Sequence, residues 1–262
     1  MNCYLCQSTA FRHRKGEVRD APHLDILECI NCGLVTLSSH AHIGSEFYEE
    51  SGMHGVLPAP VDEWLRDTDW DDQRRFESLT PILANKKVLD FGCGSGGFLL
   101  KAKALAAIAE GVELERRVRE HWQDQIMMYP DVESVGTNRY DVITGFHVIE
   151  HLTDPRTMLK TLGTKLAKNG RMVIEVPSSE DAFLTLYGSE AFQKFTYWSQ
   201  HLYLFGAEAL RRLSASPPKA PPSIGPTESV KTTAFSACPN FAACARIRPQ
   251  WRRIYWGMLQ IG

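Results

Sequence analysis

One segment constrains the fold of this chain more than any other. Lys87-Val88-Leu89-Asp90-Phe91 runs without a break into Gly92-Cys93-Gly94-Ser95-Gly96-Gly97. The first five residues read as a short buried strand, and 98–107, rich in Leu, Ala and Lys, reads as a helix. Strand, glycine turn and helix in that order make a βα unit that takes a nucleotide. Its glycines admit a ligand close to the backbone, and its helix start presents N–H groups that lack intrahelical partners.

The residues that follow continue the alternation. Residues 107–112 read as a second strand ending at Glu113, and Val118, Trp122 and Ile126 recur at i, i+4 and i+8 as a helix does. A third strand is weakly marked over 126–129. Residues 140–146 are largely apolar and β-branched, as a strand buried on both faces requires. A helical pattern with Leu152, Leu159, Leu162 and Leu166 then runs to Ala167; Asn169-Gly170 ends it, and 171–176 forms the next strand. Repeated β–α order predicts a doubly wound α/β sheet with its ligand at the carboxyl ends of the strands.

Gly92, Gly94 and Gly97 fit the dinucleotide pattern G-x-G-x-x-G, and Glu113 stands 21 residues after Gly92, where a carboxylate bridges ribose hydroxyls in more than one kind of nucleotide site. Asp90 discriminates between ligands. Two like charges 4 Å apart repel by about 4 kcal/mol at an effective dielectric of 20, so an acid there faces a pyrophosphate badly. S-adenosylmethionine has no phosphate and carries an ammonium and a sulfonium, which suit it. An Asp that merely caps the glycine turn is the plainer alternative.

A second feature stands at the front of the chain. Cys3-x-x-Cys6 and Cys29-x-x-Cys32 use four of the seven cysteines, with 22 residues between the pairs. Two residues between thiolates let one tight turn aim both sulfurs at one ion, and two such knuckles complete a tetrahedral zinc site with no open position. Leu24 to Leu27 leads into the second knuckle and Leu34 to Leu37 leads out, as in a short ribbon. The expected zinc is therefore structural, and reduced thiols point to a reducing, cytoplasmic compartment. A redox C-x-x-C explains one pair and not two.

On these residues the chain resembles class I S-adenosylmethionine-dependent methyltransferases. Val88 to Gly96 is similar to their first motif, Gly111-Val112-Glu113 to their ribose-binding strand end, and Tyr140 to Pro155 to their fourth strand and the helix after it. Gly170 to Ser178 resembles the fifth strand, and Gln200 to Phe205 a segment often found beyond it. The cysteine pairs, with the acidic stretch around Phe47-Tyr48, resemble the zinc-binding front of a branch that includes sugar C-methyltransferases and enzymes of polysaccharide and natural-product pathways. The resemblance implies a Rossmann-like methyltransferase sheet with a small N-terminal zinc ribbon. It implies S-adenosylmethionine held by Asp90, Gly92, Cys93, Gly94, Gly96, Glu113 and His147, and zinc held by Cys3, Cys6, Cys29 and Cys32.

A base is needed where the acceptor is a hydroxyl or a carbon acid, and histidine titrates in the useful range. His201 and His151, beyond the fifth and fourth strands, are the candidates, with His151 also read beside the methionine end of the cofactor; Tyr187, Tyr197 and Trp198 are candidate acceptor walls or core. Asp131 or Glu133 are candidates for the adenine. The expected organisation is a ribbon over 1–40, a linker and helical lead-in over 41–81, a transfer core over 82–213 and an atypical tail over 214–262. Five prolines crowd residues 214–227 of that tail, which departs from the usual closing strands; two stretches near 230–237 and 241–247 read as a weak hairpin.

The expected acceptor is a small molecule, such as a nucleotide sugar or glycan precursor. A formal net charge of −2 and the absence of a basic aromatic stripe count against nucleic acid. No run of 18 apolar residues is present, so a membrane span is not expected. An RNA base methyltransferase with a zinc-finger front and a non-catalytic cofactor-binding regulator are the rival readings.

Overall fold

A computed structural model describes residues 1–43 and 59–214 in full, and 231–233 and 256–261 as backbone strands. In chain order the strands β1 (Phe11–His13), β2 (Ile26–Cys29) and β3 (Val35–Leu37) surround the second cysteine knuckle. Helix α1 (Val61–Leu83) precedes β4 (Lys87–Phe91) and α2 (Gly97–Ala102), then β5 (Ile108–Val112), α3 (Arg116–Trp122) and the two-residue β6 (Met128–Tyr129). Strand β7 (Tyr140–Phe146) leads through a 3-10 turn at Ile149–His151 to α4 (Pro155–Lys165) and β8 (Leu166–Pro177). The remaining elements are α5 (Ala182–Thr185), α6 (Glu190–Thr196), β9 (Tyr203–Leu204), α7 (Ala207–Ser214), β10 (Lys231–Thr233) and β11 (Trp256–Ile261). The stretch around Phe47-Tyr48, the prolines beyond Ser214 and most of the expected tail hairpin lie outside the described residues. Among the described residues no helix is long and apolar enough to cross a membrane.

The chain separates into two compact units. One gathers Met1–His40, Glu150–Thr153 and Glu175–Leu259; the other gathers Ala41–Ile149, Asp154–Ile174 and Gln260–Gly262. The second carries the alternating α/β pattern. Its β4 pairs in parallel with β5 on one side and β7 on the other, and β5 pairs in parallel with β6. The full strand order is β10-β11-β8-β7-β4-β5-β6. Val88, Leu89, Val142 and Ile143 are all buried, as central strands of a covered sheet should be. Val61, Leu99, Val118, Trp122 and Ile126 form a cluster that fastens the helices over β5. Each such side chain contributes about 1.5–3 kcal/mol on full burial.

The first unit carries a separate sheet in the order β1-β2-β3-β9. The pairs are antiparallel: Phe11 lies opposite Cys29, Glu28 opposite Val35, and Thr36 opposite Tyr203. The ribbon therefore gains its last strand from Tyr203–Leu204, distant in sequence. Its core combines Val18, Leu24, Ile26, Val35 and Leu37 with Leu184, Tyr197 and Leu204.

Two expected boundaries move. The helix read over 98–107 stops at Ala102. Lys103, Ala104 and Leu105 turn back on Leu99, Lys101 and Ala102, and Asn85 N–H takes the Leu105 carbonyl. The chain must reverse there to start β5 beside β4. The helix after β7 likewise ends at Lys165, whose ammonium donates to the Val135 carbonyl at 2.6 Å. Asn169, read as part of a helix stop, instead sits at φ 64° within the extended Leu166–Pro177 stretch.

Candidate functional site

The glycine turn after β4 has a conformation that side chains resist. Gly92, Gly94 and Gly96 have φ of 66°, 53° and 83°, in the left-handed region where only glycine is unstrained. Space is as restrictive as angle at two of them. A Cβ on Gly92 would lie 2.5 Å from Val148 Cγ2, and one on Gly96 would lie 2.6 Å from Trp122 Nε1. Trp122 donates from that nitrogen to the Ser95 carbonyl at 2.8 Å, and Thr68 Oγ1 meets Ser95 Oγ at 3.2 Å. Trp64 packs against Gly94, with the Arg117 guanidinium 5.6 Å from the centre of its ring. Cys93 is half-buried beside Gly111 and Met128, and desolvation there pushes its thiol pKa up.

Two carboxylates flank this turn. Asp90 is buried at the end of β4 and accepts from Thr144 Oγ1 at 2.7 Å. Burial lifts its pKa to about 7, against the Thr144 bond and the Arg75 charge, which favour the ionised form. Glu113 follows β5. Its Oε2 accepts from Gly94 N–H at 2.8 Å and its Oε1 from Glu115 N–H at 2.9 Å. Burial raises its pKa as well, opposed by those backbone donors. A third acid, Asp72 on α1, is buried with Arg75 at 3.3 Å, and a Cβ on Gly97 would strike its Oδ2. The sequence reading missed Asp72; the i, i+3 spacing of an Asp and an Arg on the buried side of α1 was the available signal.

His147 leaves the carboxyl end of β7 with φ 58°. Among the described residues, the other non-glycine residues in the left-handed region are Asn and Gln. Held strain of this kind gathers at ligand sites, and the neighbouring Val148 rests on Gly92. Asp90, Gly92, Cys93, Gly94, Gly96, Glu113 and His147 thus all belong to the second unit. Asp131 is half-buried and accepts from Ser134, whose N–H and hydroxyl each donate at 2.7 Å.

His151 and His201 belong to the other unit, and the structure brings them together. Their rings are 5.0 Å apart, and Trp198 meets both edge-on at 6.0 and 5.5 Å. His151 Nδ1 faces the Gln200 carbonyl at 2.8 Å and His201 Nδ1 faces the Thr196 carbonyl at 2.7 Å. A carbonyl only accepts, so each Nδ1 carries a proton. Glu150 is fully buried, and ligand atoms of Glu150, His151 and His201 all lie within 4.8 Å of one another. Two imidazoles and a carboxylate so placed can share a proton or hold a cation. Tyr197 is buried in the ribbon core, whereas Tyr187 is exposed.

The four ribbon cysteines also converge. Cys3 Sγ is 3.5 Å from Cys32 Sγ, and Cys6 Sγ is 3.6 Å from Cys29 Sγ. All four sulfurs lie within 4.8 Å of one another. A tetrahedron of sulfurs at 2.3 Å from zinc has edges of about 3.8 Å. Burial raises the Cys3 thiol to about 11; burial also opposes ionisation of Cys6, but hydrogen bonds from Asn31 and Ser8 overcome it and bring that thiol down to about 6.

With this geometry in place, comparison with other proteins becomes specific. The family description of a methyltransferase domain matches residues 62–215. A ubiquinone biosynthesis O-methyltransferase of Aeromonas salmonicida is 25% identical over 197 residues, 65% of this chain and 74% of its own length. A tRNA U34 carboxymethyltransferase of Campylobacter jejuni is 29% identical over 139 residues, 47% of this chain; the chain spans 47% of that enzyme. Among solved structures, a Synechocystis magnesium protoporphyrin IX methyltransferase with bound S-adenosylhomocysteine aligns with a TM-score of 0.51 at 15% identity, over 82% of this chain and 95% of its own. A methyltransferase from Archaeoglobus fulgidus aligns with a TM-score of 0.52 at 19% identity, over 76% of this chain and 97% of its own.

Proposed function

We propose, from the premise that this chain belongs to the methyltransferase-domain family and is an S-adenosylmethionine-dependent enzyme, that it methylates a small-molecule acceptor of the nucleotide-sugar or glycan-precursor class. The observation that carries the cofactor part of this reading is the left-handed glycine turn with Glu113 bonded across it. Glu113 is placed in sequence and in the turn to take ribose hydroxyls, exchanging its Gly94 contact for them. Asp90 supplies negative charge for the cationic end of the ligand. Gly92, Gly94 and Gly96, with Cys93 between them, leave the backbone bare for close approach, and His147 continues the same edge. The bound cofactor supplies an electrophilic methyl group on a sulfonium.

His201 Nε2 then accepts the acceptor's proton. The Nδ1–H bond to Thr196 fixes the tautomer this requires. Glu150 stabilises the imidazolium that forms, and His151 shares the charge. In-line transfer leaves most of the remaining work to positioning.

The ribbon over 1–40 takes one structural zinc on Cys3, Cys6, Cys29 and Cys32, and the transfer core is 82–213. Four thiols kept for a metal favour a reducing compartment, which we read as the cytoplasm. An RNA acceptor is the second reading, favoured by the match to the tRNA enzymes and opposed by a formal net charge of −2.

The test is calorimetry followed by turnover. S-adenosylhomocysteine should bind, and Glu113→Ala should weaken that binding by roughly 10- to 100-fold, the scale of losing a charge-assisted hydrogen-bond pair. Sugar nucleotides, small phenols and tRNA are then offered separately with S-adenosylmethionine. Methylation confined to tRNA would replace the small-molecule reading, and binding of NADH without S-adenosylhomocysteine would overturn the cofactor assignment.

A further inference from the structure

Residues 197–204, which contain His201, are held on both sides by the ribbon. On the N-terminal side, Arg19 N–H donates to the Tyr197 carbonyl at 3.0 Å, and the Arg19 guanidinium lies 4.5 Å from the centre of the Trp198 ring. Asp20 then takes Ser199 with both oxygens: Oδ1 accepts from Ser199 N–H at 3.0 Å and Oδ2 from Ser199 Oγ at 2.7 Å. On the C-terminal side, Thr36 Oγ1 donates to the Leu202 carbonyl at 3.0 Å, Leu37 N–H approaches the same oxygen at 3.4 Å, and β3 pairs with β9 at Thr36–Tyr203 and Val35–Leu204. Tyr4, between the first pair of cysteines, lies 5.2 Å from the Tyr203 ring.

Between these two grips are Gln200 and His201. The Gln200 carbonyl receives His151 Nδ1–H, so the grip that sets Gln200 also sets the second imidazole. Both imidazole rings are therefore fastened to one short segment, and that segment is fastened to the ribbon. The Asp20 carboxyl is suited to the task. Burial opposes its charge, but the Ser199 bonds outweigh burial and hold its pKa below the usual carboxylate range.

We propose that the ribbon is a clamp for the histidine pair, and that Asp20 and Thr36 are positioning residues acting through Ser199 and Leu202. The inference rests on the transfer reading only for its consequence, which is that the ribbon governs proton abstraction through the segment that carries His201. The apolar core that the ribbon shares with Leu184, Tyr197 and Leu204 gives these grips a fixed base, where the tolerance required of two rings is a fraction of an ångström.

The experiment uses the full chain labelled with 15N-histidine. In the unmodified protein both His151 and His201 are expected as Nδ1–H tautomers with protected ring protons. Asp20→Ala should speed exchange of those two protons by roughly tenfold or more, the scale of losing paired hydrogen bonds. Metal content and S-adenosylhomocysteine affinity should stay unchanged. Asp20→Asn should restore the protection, because its amide accepts from Ser199 N–H while Ser199 Oγ accepts from the amide nitrogen. Thr36→Val should reproduce the effect from the other side.

Ring protons unmoved in both Asp20→Ala and Thr36→Val would overturn the clamp, and so would loss of metal or of cofactor affinity, which would make these residues general props. The ring signals are read without any acceptor. Failure of the clamp therefore leaves the transfer reading standing, and a wild-type chain that binds no S-adenosylhomocysteine would sink that reading while the ring signals still decide the clamp.

Discussion

The two units hold their polar groups by different means. In the α/β unit, Asp90 and Glu113 are placed by neighbours close in the sheet: Thr144 on the adjacent strand, and Gly94 in the turn that follows β4. Backbone shape and packing do the positioning, and a Cβ in the wrong place is the natural way to damage it. In the ribbon unit, the segment that carries His201 and holds His151 is gripped by Asp20 on Ser199 and Thr36 on the Leu202 carbonyl, far away in the chain, and the ribbon's cysteines converge. The first arrangement is vulnerable to volume and φ, the second to loss of a cross-link. Damage to one arrangement can therefore leave the other intact.

The largest expected effect breaks the second arrangement. Cys29→Ser should release the zinc. Apparent binding free energies of structural zinc are about 10–16 kcal/mol in small domains, so the ribbon should open outright. Hydrogen exchange should rise over 1–40 and 199–204 and stay low over 87–91 and 140–146. Wild-type metal content is expected at about one zinc per chain. A second equivalent, lost in His201→Ala, would assign Glu150, His151 and His201 to a cation as well. Exchange rising equally in both units would erase the contrast between them.

Next in size is a lesion of the first arrangement. Gly96→Ala forces a Cβ into φ 83° and against the Trp122 indole nitrogen. Left-handed backbone costs about 1–2 kcal/mol and overpacking about 1–3 kcal/mol. Denaturation should report a loss near the sum, and calorimetry a loss of S-adenosylhomocysteine binding, with the histidine ring signals intact. Unchanged binding would mean that the turn does not seat the ligand.

The smallest effect sharpens the role of Asp90. Its carboxyl, raised to about 7 by burial, is neutral below that pH and charged above it. A cationic ligand prefers the charged form. Affinity for S-adenosylmethionine should rise between pH 6 and 8, by up to about tenfold per unit on the acid side, and Asp90→Asn should flatten the rise. Stability of the unliganded chain should run the opposite way. The folded state binds the extra proton between the ordinary carboxylate range and about 7, so the Asp90 contribution falls as pH climbs through that window. A flat binding profile in the wild type would leave Asp90 as a turn residue.

What was legible in the sequence divides along the same line. The strands Lys87–Phe91 and Tyr140–Phe146 are as read because central parallel strands are continuous apolar runs bounded by glycine, or by a residue forced into a turn. The cysteine pairs announced their convergence by spacing alone. The end of α2 at Ala102 was not legible, because Lys103 to Ala107 is good helix sequence and tertiary packing ended it. Nor was β9: a two-residue strand has no period, and its partner is in the ribbon. The nearness of His151 to His201 and the Asp20 grip on Ser199 are long-range facts that no local pattern encodes.

The pairing of β3 with β9 also orders the birth of the molecule. Thr36 and the Leu202 carbonyl it binds are 166 residues apart. During synthesis the first three strands of the ribbon emerge early, and their outer edge, Val35 to Leu37, has no neighbour until Tyr203 and Leu204 follow. An unpaired edge is the part of a sheet that other chains can join. Until Tyr203 and Leu204 emerge, the nascent chain thus carries an open ribbon edge while the glycine-turn strands assemble, and the histidine pair is set when the ribbon sheet closes.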